Sequence, residues 1–113
     1  MPLTIDLEKL PTHWRLGLSG GLDLSSSRQF RDFATNVLAQ VPPAVILDLS
    51  GVDYLDSSGL GLLLLLNKEY ESPEHLLVLI ASTAVDKILT ITRLVDFFTI
   101  APDSARALEM VGG

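Results

Sequence analysis

The chain contains no cysteine. Disulfide staples and thiolate metal sites are therefore excluded, and a reducing compartment is compatible. Aromatic residues make up only 6% of a chain that is 48% hydrophobic, so its core must be built from Leu, Ile, Val and Ala. Cations are scarce too: 8 Lys and Arg stand against 14 Asp and Glu, a net charge of -6. A surface of that sign repels nucleic-acid phosphates and anionic lipid headgroups. The five leucines from Leu62 to Leu66 fall far short of the ~20 apolar residues a membrane helix needs. The start, Met1-Pro2-Leu3-Thr4-Ile5-Asp6, has neither a basic region nor a long apolar run, so no targeting segment is read there. A soluble, cytoplasmic protein is expected, with residues 1–113 as one domain.

What is present reads as alternating strands and helices. Leu3, Ile5 and Leu7 alternate with polar residues, and so do Trp14, Leu16 and Leu18. With a turn at Lys9 to Thr12 they predict an antiparallel hairpin closed by Gly20-Gly21. Ser25-Ser26-Ser27 opens a helix, with Ser26 and Gln29 at capping-box spacing. Phe30, Phe33, Ala34, Val37 and Leu38 form its apolar stripe, and Val41-Pro42-Pro43 stops it. Val45 to Leu49 has the near-continuous apolarity of a central strand, broken only by Asp48. Ser50 to Leu55 then reads as a loop, and a helix runs from Ser57 or Ser58 to about Tyr70. Beyond the exit loop Glu71 to Glu74, Leu76 to Ile80 is a second buried strand. Ser82-Thr83 caps a helix carrying Val85, Ile88 and Leu89; Phe97 to Ile100 is a short edge strand. Pro102-Asp103 starts a last helix to about Met110, with Gly112-Gly113 frayed. A hairpin followed by this alternation is an α/β pattern, its sheet parallel in the later half.

The organising stretch is Asp56-Ser57-Ser58-Gly59-Leu60-Gly61, at the start of the leucine-rich helix. A helix N-terminus presents unpaired N–H groups and partial positive charge, and so accepts an anion, including a phosphate built onto a serine. The plain reading is an N-cap, which Asp56 or either serine can supply. Yet a cap needs one such residue and three are present. Gly59 and Gly61 each weaken the helix by roughly 0.8–1.0 kcal/mol relative to alanine. That loss is offset if another chain must come close to a serine hydroxyl, which makes the stretch a phosphorylatable switch on a docking surface. Helical spacing puts Ser58, Leu62, Leu65 and Glu69 on one face; Leu60, Leu63, Leu64, Asn67 and Tyr70 turn the other way, towards the core. Either neighbouring helices cover Leu62 and Leu65, or the two leucines form an exposed patch beside the serine.

Enzymatic readings find little support. A nucleophilic serine needs a base within reach. His13 lies on the early hairpin and His75 just before a strand, and no Gly-x-Ser-x-Gly elbow occurs. Asp48, Asp53 and Asp56 offer oxygen ligands to Mg²⁺, but each also has a plain role as strand, loop or cap residue. No phosphate loop is present and no motif requests a cofactor or metal.

The run Val45 to Gly61, and above all Asp56-Ser57-Ser58-Gly59-Leu60-Gly61, resembles the signature of STAS domains, specifically the bacterial anti-sigma factor antagonists. Leu18 to Asp23 resembles the end of that family's second strand, and Ala81 to Ile100 its third-helix region. The resemblance implies a single STAS domain: a mixed four- to five-stranded sheet with about four helices. It implies a ligand and substrate rather than a catalyst. In the cycle it implies, the unmodified protein binds an anti-sigma factor that is also a GHKL-type serine kinase, and sigma factor is released. The kinase phosphorylates the second serine of the motif, here Ser58 ahead of Ser57; a serine phosphatase resets it. The implied partner surface is Asp23, Asp56, Ser57, Ser58, Gly59, Leu62, Leu65 and Glu69. The alternative is a STAS module of another system, a stressosome-type scaffold or the soluble accessory of a lipid or anion transporter. The chain departs from the family pattern at Gly21, where Glu is usual, and at Arg93, where a glycine often ends the third helix. Its Leu62 to Leu66 run is also more apolar than usual, which suits a greasier docking face or a homodimer.

Overall fold

The computed structural model describes residues 2–112. Its elements run β1 (Thr4–Lys9), β2 (Trp14–Leu22), α1 (Leu24–Ala39), β3 (Ala44–Leu55), α2 (Ser57–Tyr70), β4 (Leu76–Ala81) and α3 (Thr83–Ile91). A 3₁₀ turn (Val95–Phe97), β5 (Thr99–Ala101) and α4 (Ser104–Met110) complete the chain. One five-stranded sheet is formed in the order β1-β2-β3-β4-β5, with β1 antiparallel to β2 and every later pair parallel. The expected α/β fold with an antiparallel hairpin and a parallel later half is what forms.

Sequential strand order has a physical consequence. Each parallel crossover is right-handed, and none reverses direction, so α1, α2 and α3 must fall on the same face. The core records this. Leu16, Leu18, Val45, Leu47, Leu49, Leu77 and Leu79 pack with Phe30, Ala34, Leu63, Leu66, Val85 and Leu89 in one cluster. The alternate residues Ile46, Val78 and Ile80 point the other way, where α4 covers them through Ala107.

Several elements differ from the sequence expectation. Ser50 to Leu55 is no loop: β3 continues to Leu55 because β2 also continues, past Gly20-Gly21 to Leu22. The ladder holds Ser19 against Gly51 and Leu22 against Leu55, with register shifts between Gly17 and Ser19 and between Gly20 and Gly21. Such irregularities let a polar stretch stay paired without alternation. The α1 cap is Asp23, not Ser26; the Asp23 carboxylate accepts the Ser26 N–H at 2.9 Å and the Ser26 hydroxyl accepts the Asp23 N–H at 2.9 Å. Phe33, read into the α1 stripe, is exposed, while Phe30, Ala34 and Val37 are buried. The edge strand β5 starts at Thr99, since Phe97 belongs to the 3₁₀ turn. Ser82 caps α3 by accepting the Val85 N–H, and Asp103 caps α4. The expected fraying at Gly113 lies outside the described residues.

Two helix-end residues have left-handed backbone: Val41 (φ 53°), after α1, and Arg93 (φ 59°), after α3. At Arg93, where the family pattern has glycine, the Leu94 N–H still reaches back to the Leu89 carbonyl at 2.9 Å. The closing hydrogen bond is thus made without the residue that suits it best.

Asp48 sits in the middle of β3 rather than at its end, and is 6% exposed. It faces the α4 side of the sheet. One oxygen accepts the Ser50 N–H at 3.0 Å, and the other meets the Arg15 guanidinium at 2.6 Å. Arg15 reaches it across Gly17, where a Cβ would stand 2.9 Å from the guanidinium. Burial alone would push the Asp48 carboxyl up; the Ser50 and Arg15 contacts outweigh it and hold the carboxyl below its ordinary value.

Candidate functional site

The serine pair is mounted on the end of the central strand. Leu22 and Leu55 are paired residues of β2 and β3, and each is followed by an aspartate that caps a helix. Asp23 and Asp56 therefore start α1 and α2 beside each other, at the carboxyl end of the parallel strands, where open α/β sheets place their sites. Asp23 also accepts the Ser25 hydroxyl at 2.9 Å. Hydrogen bonds from the Ser26 N–H and from the Ser25 and Ser26 hydroxyls hold its carboxyl below the usual range.

At α2, the Asp56 carboxylate accepts the Ser58 N–H at 2.9 Å and the Gly59 N–H at 3.1 Å. The Asp56 N–H donates to the Leu22 carbonyl at 3.3 Å, which ties the cap to β2. Asp56 is thus the cap, and the two serines are the first two helical residues, with no capping left to do. Ser57 is exposed and Ser58 half-buried. Among the described residues, no hydrogen bond engages either hydroxyl.

Gly59 and Gly61 separate into two roles. A Cβ on Gly59 would stand 2.5 Å from the Leu22 carbonyl oxygen and 2.6 Å from a Leu55 methyl. Gly59 is buried, and its small size serves packing of α2 on its own sheet rather than approach by a partner. At Gly61 nothing lies within 4 Å, so that position alone leaves open space beside the serines.

The shared face of Ser58, Leu62, Leu65 and Glu69 is also divided. Leu62 is 6% exposed and belongs to the core, contrary to an outward patch of two leucines; Leu65 is 36% exposed. The reason is α1, which packs alongside α2 and closes over Leu62. Leu60 and Leu64, read as core, are only half-buried. Asn67 donates to the Phe97 carbonyl at 3.0 Å, yet its own side-chain oxygen is buried without a partner.

Between α1 and α2 runs a groove. Its upper hollow, about 280 Å³, is bounded by Ser58, Gly61, Leu62 and Leu65 on α2 and by Leu24, Ser27, Arg28 and Arg31 on α1. Arg28, Arg31 and Leu65 also border a second hollow of about 630 Å³, which extends to Asp32, Thr35 and Glu69. Glu69 thus lies at the far end of the groove that begins at Ser58. Sequence reasoning missed the α1 wall. The signal was there: Leu24, Ser27, Arg28 and Arg31 fall at i, i+3, i+4 and i+7, a second stripe beside the apolar one.

Catalytic geometry is not assembled around the serines. His13 is buried and within 2.9 Å of the Thr12 hydroxyl; His75 is within 3.2 Å of the Ser72 hydroxyl. Both stand at the amino ends of strands parallel to β3, across the sheet from Ser58. Among the described residues, no group of three or more His, Asp or Glu could hold a metal ion, and no helix is long and apolar enough to cross a membrane.

A mixed five-stranded sheet with three helices on one face, and a serine pair at the capped start of the middle one, defines a class of small α/β domain. The STAS domain family matches residues 4–107, and the chain belongs to that family. It is 36% identical over 86 residues to a STAS-domain containing protein of Pseudomonas aeruginosa, covering 74% of this chain and 83% of that one. An anti-sigma factor antagonist from Mycobacterium paratuberculosis superposes with a TM-score of 0.89 at 27% identity, covering 98% of this chain and 95% of the other. The Bacillus cell fate determinant SpoIIAA, in its phosphorylated form, superposes with a TM-score of 0.71 at 23% identity, over 96% and 99% of the two chains. At that identity the likeness shows the fold.

Proposed function

We propose that the protein is an anti-sigma factor antagonist switched at Ser58. The unmodified form binds an anti-sigma factor that is itself a GHKL-type serine kinase, and sigma factor is released. The kinase then transfers the γ-phosphoryl of ATP to the Ser58 oxygen; ADP leaves and the hydroxyl proton passes to solvent. The phosphorylated form dissociates, and a serine phosphatase resets it. The protein is ligand and substrate in this cycle, not catalyst.

One observation carries the reading. A serine hydroxyl without a hydrogen-bond partner stands at the first turn of a helix whose cap is already supplied by Asp56. Beside it are the open position Gly61 and the exposed Leu65. The likeness to the Mycobacterium antagonist supports the general role. That the Bacillus relative by fold is known in a phosphorylated form supports the modification. A phosphate adds about −1.5 to −2 charges at neutral pH, next to Leu65 on an acidic protein. The helix end can hold that charge without unfolding, while docking of an apolar or acidic partner surface is opposed.

The test is incubation with the candidate kinase and ATP, followed by mass mapping. One phosphate on Ser58 is expected; label on Ser57 or elsewhere, or none, overturns the proposal. Ser58→Ala is expected to stay bound to the kinase, and Ser58→Asp to bind roughly tenfold more weakly or worse. Equal affinities would remove the electrostatic basis.

A further inference from the structure

Arg28 and Arg31 are two of only eight cations in the chain. Arg15 and Arg106 are committed to carboxylates. Among the described residues, Arg28 and Arg31 make no ion pair and no side-chain hydrogen bond. They stand one turn apart on α1, where like charges repel. Both border the same hollow as Ser58. Asp23 and Asp56 serve as the caps of the two helices, and Asp32 and Glu69 border the second hollow, which Arg28 and Arg31 also border without pairing to either. The upper hollow is therefore bordered by two exposed, uncommitted arginines and an uncharged hydroxyl.

We infer that Arg28 and Arg31 are the receptor for a phosphate on Ser58. This rests on the reading of Ser58 as the acceptor, and adds what the charge does once installed. A guanidinium presents paired N–H donors that match two phosphate oxygens. With the phosphate seated, the arginine side chains bridge α1 to α2 over Leu62 and Leu65. The groove is closed and its cations are occupied. A partner is then displaced by loss of the surface itself, in addition to repulsion. The two mechanisms part company when the arginines are removed: repulsion alone would be strengthened, whereas closure would be lost.

The experiment uses the full chain with phosphoserine incorporated at position 58 during translation, so no kinase is required. Its second ionisation is followed by ³¹P NMR across pH 4 to 8. Nearby cations favour the dianion, so the wild-type phosphate is expected to titrate about one pH unit lower than in R28Q/R31Q. Any lowering due to the helix end alone is present in both proteins. Identical titration overturns the inference. A second measurement needs no variant: the Nε–H signals of Arg28 and Arg31 are expected to shift and exchange more slowly in the phosphorylated chain only. Unchanged signals overturn it equally. The outcomes separate from those of the functional proposal. Absence of kinase labelling with a lowered titration discards the cycle and keeps the receptor; normal labelling with identical titration does the reverse.

Discussion

A methyl group added at Gly59 and one added at Gly61 meet opposite surroundings. The first collides with backbone, the Leu22 carbonyl oxygen at 2.5 Å, and the second meets open space. Gly59→Ala is expected to destabilise by about 1–3 kcal/mol, the usual cost of overpacking. Gly61→Ala is expected to stabilise by about 0.8–1.0 kcal/mol through helix propensity. Urea denaturation of the two variants reads both signs. Asp48 yields a second residue-scale prediction. Its carboxyl is held below the ordinary value in the fold, so its contribution is full above the unfolded value of about 4 and fades as pH falls through the folded one. Asp48→Asn is expected to cost about 1.5–3 kcal/mol at pH 7, the worth of a hydrogen bond to a charged group. Repeating the denaturation near pH 3 should narrow that gap. The Arg15 partner was not read from the chain, because the two residues lie 33 positions apart.

At the scale of elements, what could be read depended on how local its cause is. Helix α1 was legible because its apolar spacing is its own property, and the start of α2 because capping is decided within one turn. The true length of β3 was hidden: Ser50 to Tyr54 has no alternation, and only the ladder to β2 makes it a strand. The burial of Leu62 was hidden for a similar reason, since α1 decides it. Leu62→Ala is therefore expected to cost about 2–5 kcal/mol. Leu65→Glu should change stability by less than ~1 kcal/mol while weakening binding to the proposed kinase partner. Thermal melts beside a binding titration separate the two leucines. The end of α3 offers an independent check. Arg93 is exposed and holds a left-handed backbone that costs an L-residue roughly 1–2 kcal/mol. Arg93→Gly removes that strain and adds chain entropy, so a net gain of up to about 1 kcal/mol is expected in denaturant midpoints.

For the molecule as a whole, the placement of three helices on one face and α4 on the other leaves the serines at one end of a well-packed sheet. A charge introduced there adds to a net −6 without touching the core. Ser58→Asp is accordingly expected to melt within about 5 °C of the parent, a difference of no more than ~1 kcal/mol for a domain of this size. A much larger change in calorimetry would show that the position is structural. The overall class of fold was legible because strand and helix alternate along the chain; strand order was not, since it depends on pairings between distant segments.

The tie between the Asp56 amide and the Leu22 carbonyl carries one more consequence. Helix ends are ordinarily the first places to loosen, and a group mounted there drifts in and out of view. Here the start of α2 is riveted to two strands and pressed onto them through Gly59, so it breathes with the sheet and not with the helix tip. The backbone that carries those hydroxyls cannot be loosened without loosening the sheet beneath it.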